Sequence, residues 1–190
     1  AREVLGHQWR WLAKAERKKL PLTSRDALLG HDFGKAETPP DGWPEQRGHE
    51  RRGGHVAKTM SQRLRVPKEM TDAAMTMARW QSRVQRVLKL RPPEVWELLH
   101  NLDVVRRPRR LKFLVDACEA DARVCSADHK TPYIQGAFLL GVSEAVRGVD
   151  VAGLREAGLT GPALGRALED KAAKRIKESK KEFREQWQRP

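Results

Sequence analysis

The chain has 190 residues, which fits one well-packed domain or one domain with a small appendage. A hydrophobic content of 39% with six Trp excludes a disordered chain, and the longest apolar stretch, near Gly136 to Val142, is too short to span a bilayer. Lys and Arg number 38 against 25 Asp and Glu, a net charge of +13 that favours polyanionic partners, nucleic acid first among them.

Apolar residues recur at helical intervals nearly throughout. Val4, Leu5, Trp9, Leu12 and Ala15 predict a first helix, which Pro21 closes. Thr23 or Ser24 is expected to cap a second, carrying Ala27, Leu28 and Leu29. From Gly34 to Gly54 the chain reads as loop, with Pro39, Pro40, Gly42, Pro44, Gly48, Gly53 and Gly54 along it. A long irregular stretch inside a compact domain is often functional. Helical spacing resumes at Val56, Met60 and Leu64 and breaks at Pro67. Further helices are expected over Glu69 to Val87, from Pro92-Pro93 through Val95, Trp96, Leu98 and Leu99, and from Pro108 through Leu111, Phe113, Leu114 and Cys118. No run alternates with period two, so the expected fold class is all-α without a sizeable sheet.

After about residue 125 the character shifts. Gly136, Gly141, Gly148 and Gly153 punctuate the chain, followed by Gly158, Gly161 and Gly165. The stretch from Glu169 to Pro190 holds eight Lys or Arg against five acidic residues, with Phe183 and Trp187, and reads as a solvated helix. This divides the chain into residues 1–125 and a basic helical tail, 126–190. Cys118 and Cys125 have the spacing of neither a zinc ribbon nor a secreted disulfide scaffold, which fits a reducing, cytoplasmic setting. No charged-then-apolar signal pattern opens the chain, and it starts in mid-pattern at Ala1-Arg2-Glu3, as a piece of a longer protein would.

Chemistry concentrates around His31-Asp32, in the run Ala27-Leu28-Leu29-Gly30-His31-Asp32-Phe33-Gly34-Lys35. With His7 upstream and Asp103 downstream, two imidazoles and two carboxylates form a candidate ligand set for one divalent ion such as Mn²⁺, Co²⁺, Ni²⁺, Fe²⁺ or Zn²⁺. Neighbouring residues point about 100° apart on a helix, so His31 and Asp32 reach one ion only near a helix end, and Gly34 is expected to supply it. Asp32 or Asp103 would orient an attacking water. Lys35, Arg106 and Arg110 would neutralise charge developing on a phosphate. The loop-borne His49 is a further candidate on the substrate side, whereas His55, His100 and His129 read as structural or surface residues.

These residues resemble the HD phosphohydrolase superfamily, whose signature is a His, a later His-Asp pair and a distant Asp; His7, His31, Asp32 and Asp103 match that order. The likeness is closer still to the C-terminal half of bacterial multifunctional CCA proteins, tRNA nucleotidyltransferases that carry an HD domain. The matching stretches include His31 to Lys35, Thr38-Pro39-Pro40, Trp43-Pro44, Gly48-His49-Glu50 and the specific run Gln62-Arg63-Leu64-Arg65-Val66-Pro67. Asp103 with Arg106, Pro108 and Arg110, then Glu119-Ala120-Asp121, Gln135-Gly136 and Glu156-Ala157-Gly158, continue the register.

The resemblance implies an HD helical bundle with a C-terminal helical extension that contacts RNA. It also implies a 2′,3′-cyclic phosphodiesterase, 2′-nucleotidase and phosphatase activity dependent on one divalent ion (Ni²⁺, Co²⁺, Mn²⁺ or Mg²⁺). The implied partners are a phosphate ester or nucleotide substrate and tRNA or another RNA, with no membrane. The chain departs from the family's pattern at Gln81-Ser82, where relatives carry a His-Asp pair, at Gln85, where they carry a His, and at Ala36, where they carry a Gly. The basic four-ligand set survives and the auxiliary set does not. No nucleotidyltransferase head precedes His7, so no CCA addition is expected from this chain alone. Two other readings stand beside the hydrolase: a degenerate, non-catalytic HD module that binds tRNA, and a nucleotide phosphatase unrelated to RNA.

Overall fold

A computed structural model of the chain describes residues 19, 21–30, 32–37, 48–125 and 132–187. Its helices are α1 (Leu22–Gly30), α2 (Phe33–Ala36), α3 (His49–Arg63), α4 (Lys68–Gln85), α5 (Pro92–Asn101), α6 (Pro108–Cys125), α7 (Ile134–Arg147), α8 (Val151–Glu156) and α9 (Gly161–Trp187). A 3₁₀ turn covers Val87–Lys89. The described residues contain no strand, so the chain is all-α as its periodicity predicts. None of the described helices is long and apolar enough to cross a membrane. The predicted first helix, Val4 to Ala15, lies outside the described residues.

Two compact units interleave along the sequence: Ala1–Gln85 with Lys112–Gly136, and Arg86–Leu111 with Ala137–Pro190. In the first, α4 buries Ala73, Ala74, Met77, Ala78, Trp80 and Val84, an apolar face at helical spacing whose alanines leave room for close neighbours. Both α1 and α3 pack against it. A Cβ on Gly30 of α1 would sit 3.0 Å from Ala74 Cβ, and one on Gly53 of α3 would sit 3.3 Å from Ala78 Cβ. From the other side, α6 seats Cys118 against Met77, sulfur to sulfur at 3.7 Å.

Two expectations are corrected here. The second helix begins at Leu22, with the Pro21 carbonyl accepting from the Ser24 N–H at 3.0 Å and the Arg25 N–H at 3.2 Å. Ser24 is therefore buried inside the first turn and Thr23 lies within the helix, so neither is the cap. The Gly34 to Gly54 stretch is not loop at its two ends: Gly34 lies in α2, while Gly53 and Gly54 lie in α3. Residues 38–47 between them are outside the described residues. Gly34 and Gly53 serve backbone approach rather than chain reversal. A Cβ on Gly34 would fall 1.8 Å from His49 O and 2.5 Å from Gly53 N. True reversal falls to Gly48, whose φ of +76° precedes α3.

In the second unit the paired prolines open α5 as predicted. Glu94 Oε2 accepts from the Arg91 backbone N–H at 2.7 Å, satisfying a donor the helix start leaves free. Helix α9 packs on α5, burying Ala172 and Ile176, and Lys180 donates to the Leu90 carbonyl. Phe183 stands edge-on to the buried Phe138 with ring centroids 5.3 Å apart, and Trp187 follows at 5.6 Å. The predicted solvated helix is thus longer than expected, starting at Gly161, and its apolar side is anchored.

The Gly34 contact predicts a large effect from a small change. Gly34→Ala should lower unfolding stability by about 2 kcal/mol or more, because a methyl group there meets backbone atoms that cannot rotate away. Urea denaturation of the two proteins measures it.

Candidate functional site

Asp32 occupies the residue before α2, between the end of α1 at Gly30 and Phe33. Helix α1 ends at Gly30 and α2 starts at Phe33, so Gly34 does not provide the helix end that the His31-Asp32 pair requires. Asp32 is about nine-tenths buried by its side chain (13% exposed), and its Oδ1 pairs with Lys35 Nζ at 2.8 Å. The Lys35 backbone N–H also donates to Asp32 O at 2.9 Å, so one short helical turn holds both residues. Because Gly34 lies against His49 O, this turn abuts the first residue of α3. The structure thus brings Asp32, Lys35 and His49 to one corner of the first unit, although the sequence places His49 on a loop rather than at a helix start.

Asp103 belongs to the second unit, in the link between α5 and α6. Its φ is +54°, a left-handed conformation that costs a side chain but which Asp tolerates better than most. The link closes on itself: Asp103 N donates to His100 O at 3.0 Å, and Asp103 O accepts from Arg107 N at 2.8 Å. Oδ1 accepts from Arg106 Nε at 2.9 Å, and Arg107 Nε approaches Oδ2 at 3.8 Å. Arg106 nonetheless keeps 83% of its side chain exposed. Arg110 lies in the first turn of α6, half-buried.

His7 and His31 lie outside the described residues. Among the described residues no group of three or more His, Cys, Asp or Glu could hold a metal ion. The fit of an ion to the full set rests on donor chemistry, and two imidazoles with two carboxylates suit a divalent first-row metal.

One polar cluster escaped the sequence reading. Asp121 of α6 is buried (4% exposed), and its Oδ2 accepts from Gln81 Nε2 at 2.5 Å and Gln85 Nε2 at 2.8 Å. These two glutamines stand at positions where the resemblance implies metal-binding side chains. Here they are amide donors one helical turn apart on α4, clamping a carboxylate. Nearby, burial followed by the charge of Asp121 pushes the Cys118 thiol up. Burial, then the charges of Cys118, Asp121 and Glu119, does the same to the Tyr133 phenol. The Tyr133 hydroxyl is buried without a hydrogen-bond partner among the described residues. The sequence signal is the pair of glutamines at i and i+4; their partner lies 40 and 36 residues away.

The chain is similar to multifunctional CCA proteins over most of its length. It is 42% identical over 167 residues to that of Alcanivorax borkumensis, a match covering 88% of this chain and 41% of the relative. It is 39% identical over 166 residues to that of Pseudomonas syringae, covering 87% and 41%. For Pseudomonas aeruginosa the identity is 39% over 171 residues, covering 90% and 42%. The chain therefore spans about two fifths of the length of these relatives. No family model matches it. No solved structure matches it.

Removing one clamp donor tests whether the cluster is structural. Gln81→Leu should cost about 1–3 kcal/mol of unfolding stability, since a buried carboxylate loses a donor it cannot replace with water. Thermal denaturation of Gln81→Leu against wild type reads this directly.

Proposed function

We propose, on the premise that this chain is a homologue of part of the multifunctional CCA protein, that it is a metal-dependent phosphohydrolase acting on phosphate esters at RNA ends. Its substrates would be 2′,3′-cyclic phosphates and 2′- or other terminal phosphomonoesters. The observation that carries the reading is homology along 88% of the chain with the His7, His31, Asp32, Asp103 set intact in the sequence. Residues 1–125 would form the hydrolase domain and 126–190 the RNA-contacting tail.

His7, His31, Asp32 and Asp103 would hold one divalent ion. When bound, such an ion polarises the phosphoryl group and acidifies water. The protein's own groups do the rest. Asp32, whose Oδ1 pairs with Lys35, or Asp103 would orient the attacking water toward phosphorus; as the new P–O bond forms the ester P–O bond breaks, and the water's proton goes to the departing oxygen. The Lys35 ammonium, 42% exposed, offers its remaining donors to a phosphate oxygen. Arg106 stays tied to Asp103 through Nε, which leaves its terminal nitrogens to pair with the phosphate, and Arg110 adds charge one turn further on. His49, whose carbonyl lies against Gly34, would add a donor on the substrate side.

A second reading has its own support. The Gln81–Asp121–Gln85 clamp fills with amides a place where the resemblance implies ligands, which favours a module that binds tRNA without chemistry.

One assay separates the two. Purified chain with Ni²⁺, Co²⁺, Mn²⁺ or Mg²⁺ should hydrolyse 2′,3′-cyclic AMP and a generic phosphomonoester, and EDTA should abolish turnover. Asp32→Ala should lower kcat by about 100-fold or more. Binding of tRNA with no chelation-sensitive turnover would establish the non-catalytic module instead.

A further inference from the structure

We propose that the end of α3 and the start of α4 form a docking surface for the RNA backbone, built from Lys58, Arg63, Arg65 and Lys68 around Leu64. The inference rests on the reading above that the substrate is RNA, and assigns a surface the proposed chemistry does not use. All four cations are exposed, as are Leu64 at 64% and Met60 at 40%. Between Glu50 and Glu69 the sequence holds six Lys or Arg and no carboxylate.

Some cations on other helices are answered by a carboxylate three or four residues away: Lys112 by Asp116, Arg147 by Glu144, Lys181 by Glu185. Lys58, Arg63, Arg65 and Lys68 have no ion pair with a described residue. Such an uncompensated cluster invites a polyanion, and a helix C-terminus accounts for one favourable cation in its last turn rather than for four.

Arg65 gives the second, independent observation. Its φ is +55°, in the turn that ends α3, where Arg65 N donates to Gln62 O at 3.2 Å and Val66 N donates to Ser61 O at 2.9 Å. Glycine usually fills this left-handed place because a side chain strains it. An exposed arginine there is a poor choice for folding, so its guanidinium has another use. The corner lies about 20 Å along α3 from His49. A mononucleotide at the Asp32 corner would not reach it, whereas the body of an RNA would.

The test uses the full chain and an RNA hairpin ending in a 2′,3′-cyclic phosphate, with binding followed by fluorescence anisotropy across a salt series. The Lys58→Gln/Arg63→Gln/Arg65→Gly/Lys68→Gln variant should bind at least about tenfold more weakly, with a log–log salt slope reduced by about three to four. Arg65→Gly alone should bind RNA more weakly while its Tm rises, a combination a structural role does not give. Turnover of 2′,3′-cyclic AMP should be unchanged in both. Wild-type affinity and slope in the fourfold variant would overturn the proposal. So would an equal loss from Lys112→Gln, or equal cluster-dependent binding to phosphatidylserine vesicles. Absence of turnover in the wild-type chain would strike the hydrolase reading alone, since the binding arm does not depend on it.

Discussion

The structure of the first unit depends on one close approach of backbone to backbone, Gly34 against the His49 carbonyl and Gly53 N–H. No side chain fits between those atoms. The approach fixes where the short helix α2 lies on α3, and with it where Asp32 and Lys35 stand relative to His49. Below it the same device repeats: Gly53 meets Ala78, and Gly30 meets Ala74, so small residues on α1, α3 and α4 set the spacing of all three helices. Packing of this kind transmits position with little slack, because interiors are close-packed and have no soft layer to absorb a shift. A site borne on a turn as short as α2 needs that rigidity.

Both carboxylates proposed for the ion are held by a cation three residues on. Asp32 pairs with Lys35, and Asp103 pairs with Arg106. Each pairing holds a carboxylate locally, without help from a distant element. The buried Asp121 is handled differently, by two neutral amides on a facing helix. That contrast separates the three acids by environment: two beside cations with exposed side chains, one sealed into the core. The left-handed backbone at Asp103 adds a local cost that its hydrogen-bonded link sustains.

Much of this was legible in the sequence. Paired prolines at 92–93 and Pro108 announce helix starts because proline's fixed φ suits a first turn, and the structure opens helices there. The all-α class followed from periodicity alone. Glycine was misread. Gly34, Gly53 and Gly54 look like chain breakers among neighbouring prolines, yet all three lie within helices, and Gly34 and Gly53 do so where two backbones meet, a fact no local pattern encodes. Thr23 and Ser24 do not cap because the helix already starts at Leu22, where the Pro21 carbonyl accepts from the Ser24 and Arg25 N–H groups. Asp32, Lys35 and His49 were identified as candidates, but their common corner depends on the Gly34 contact. The Asp121 clamp was invisible because its members lie 40 and 36 residues apart.

The central claim is that His7, His31, Asp32 and Asp103 hold a single divalent ion. Titrating Mn²⁺ into the metal-stripped chain, followed by calorimetry, tests it without requiring turnover. The account predicts one ion per chain, and a loss of affinity of about tenfold or more in both Asp32→Ala and Asp103→Ala. Binding of Mn²⁺ that survives both substitutions unchanged would contradict it.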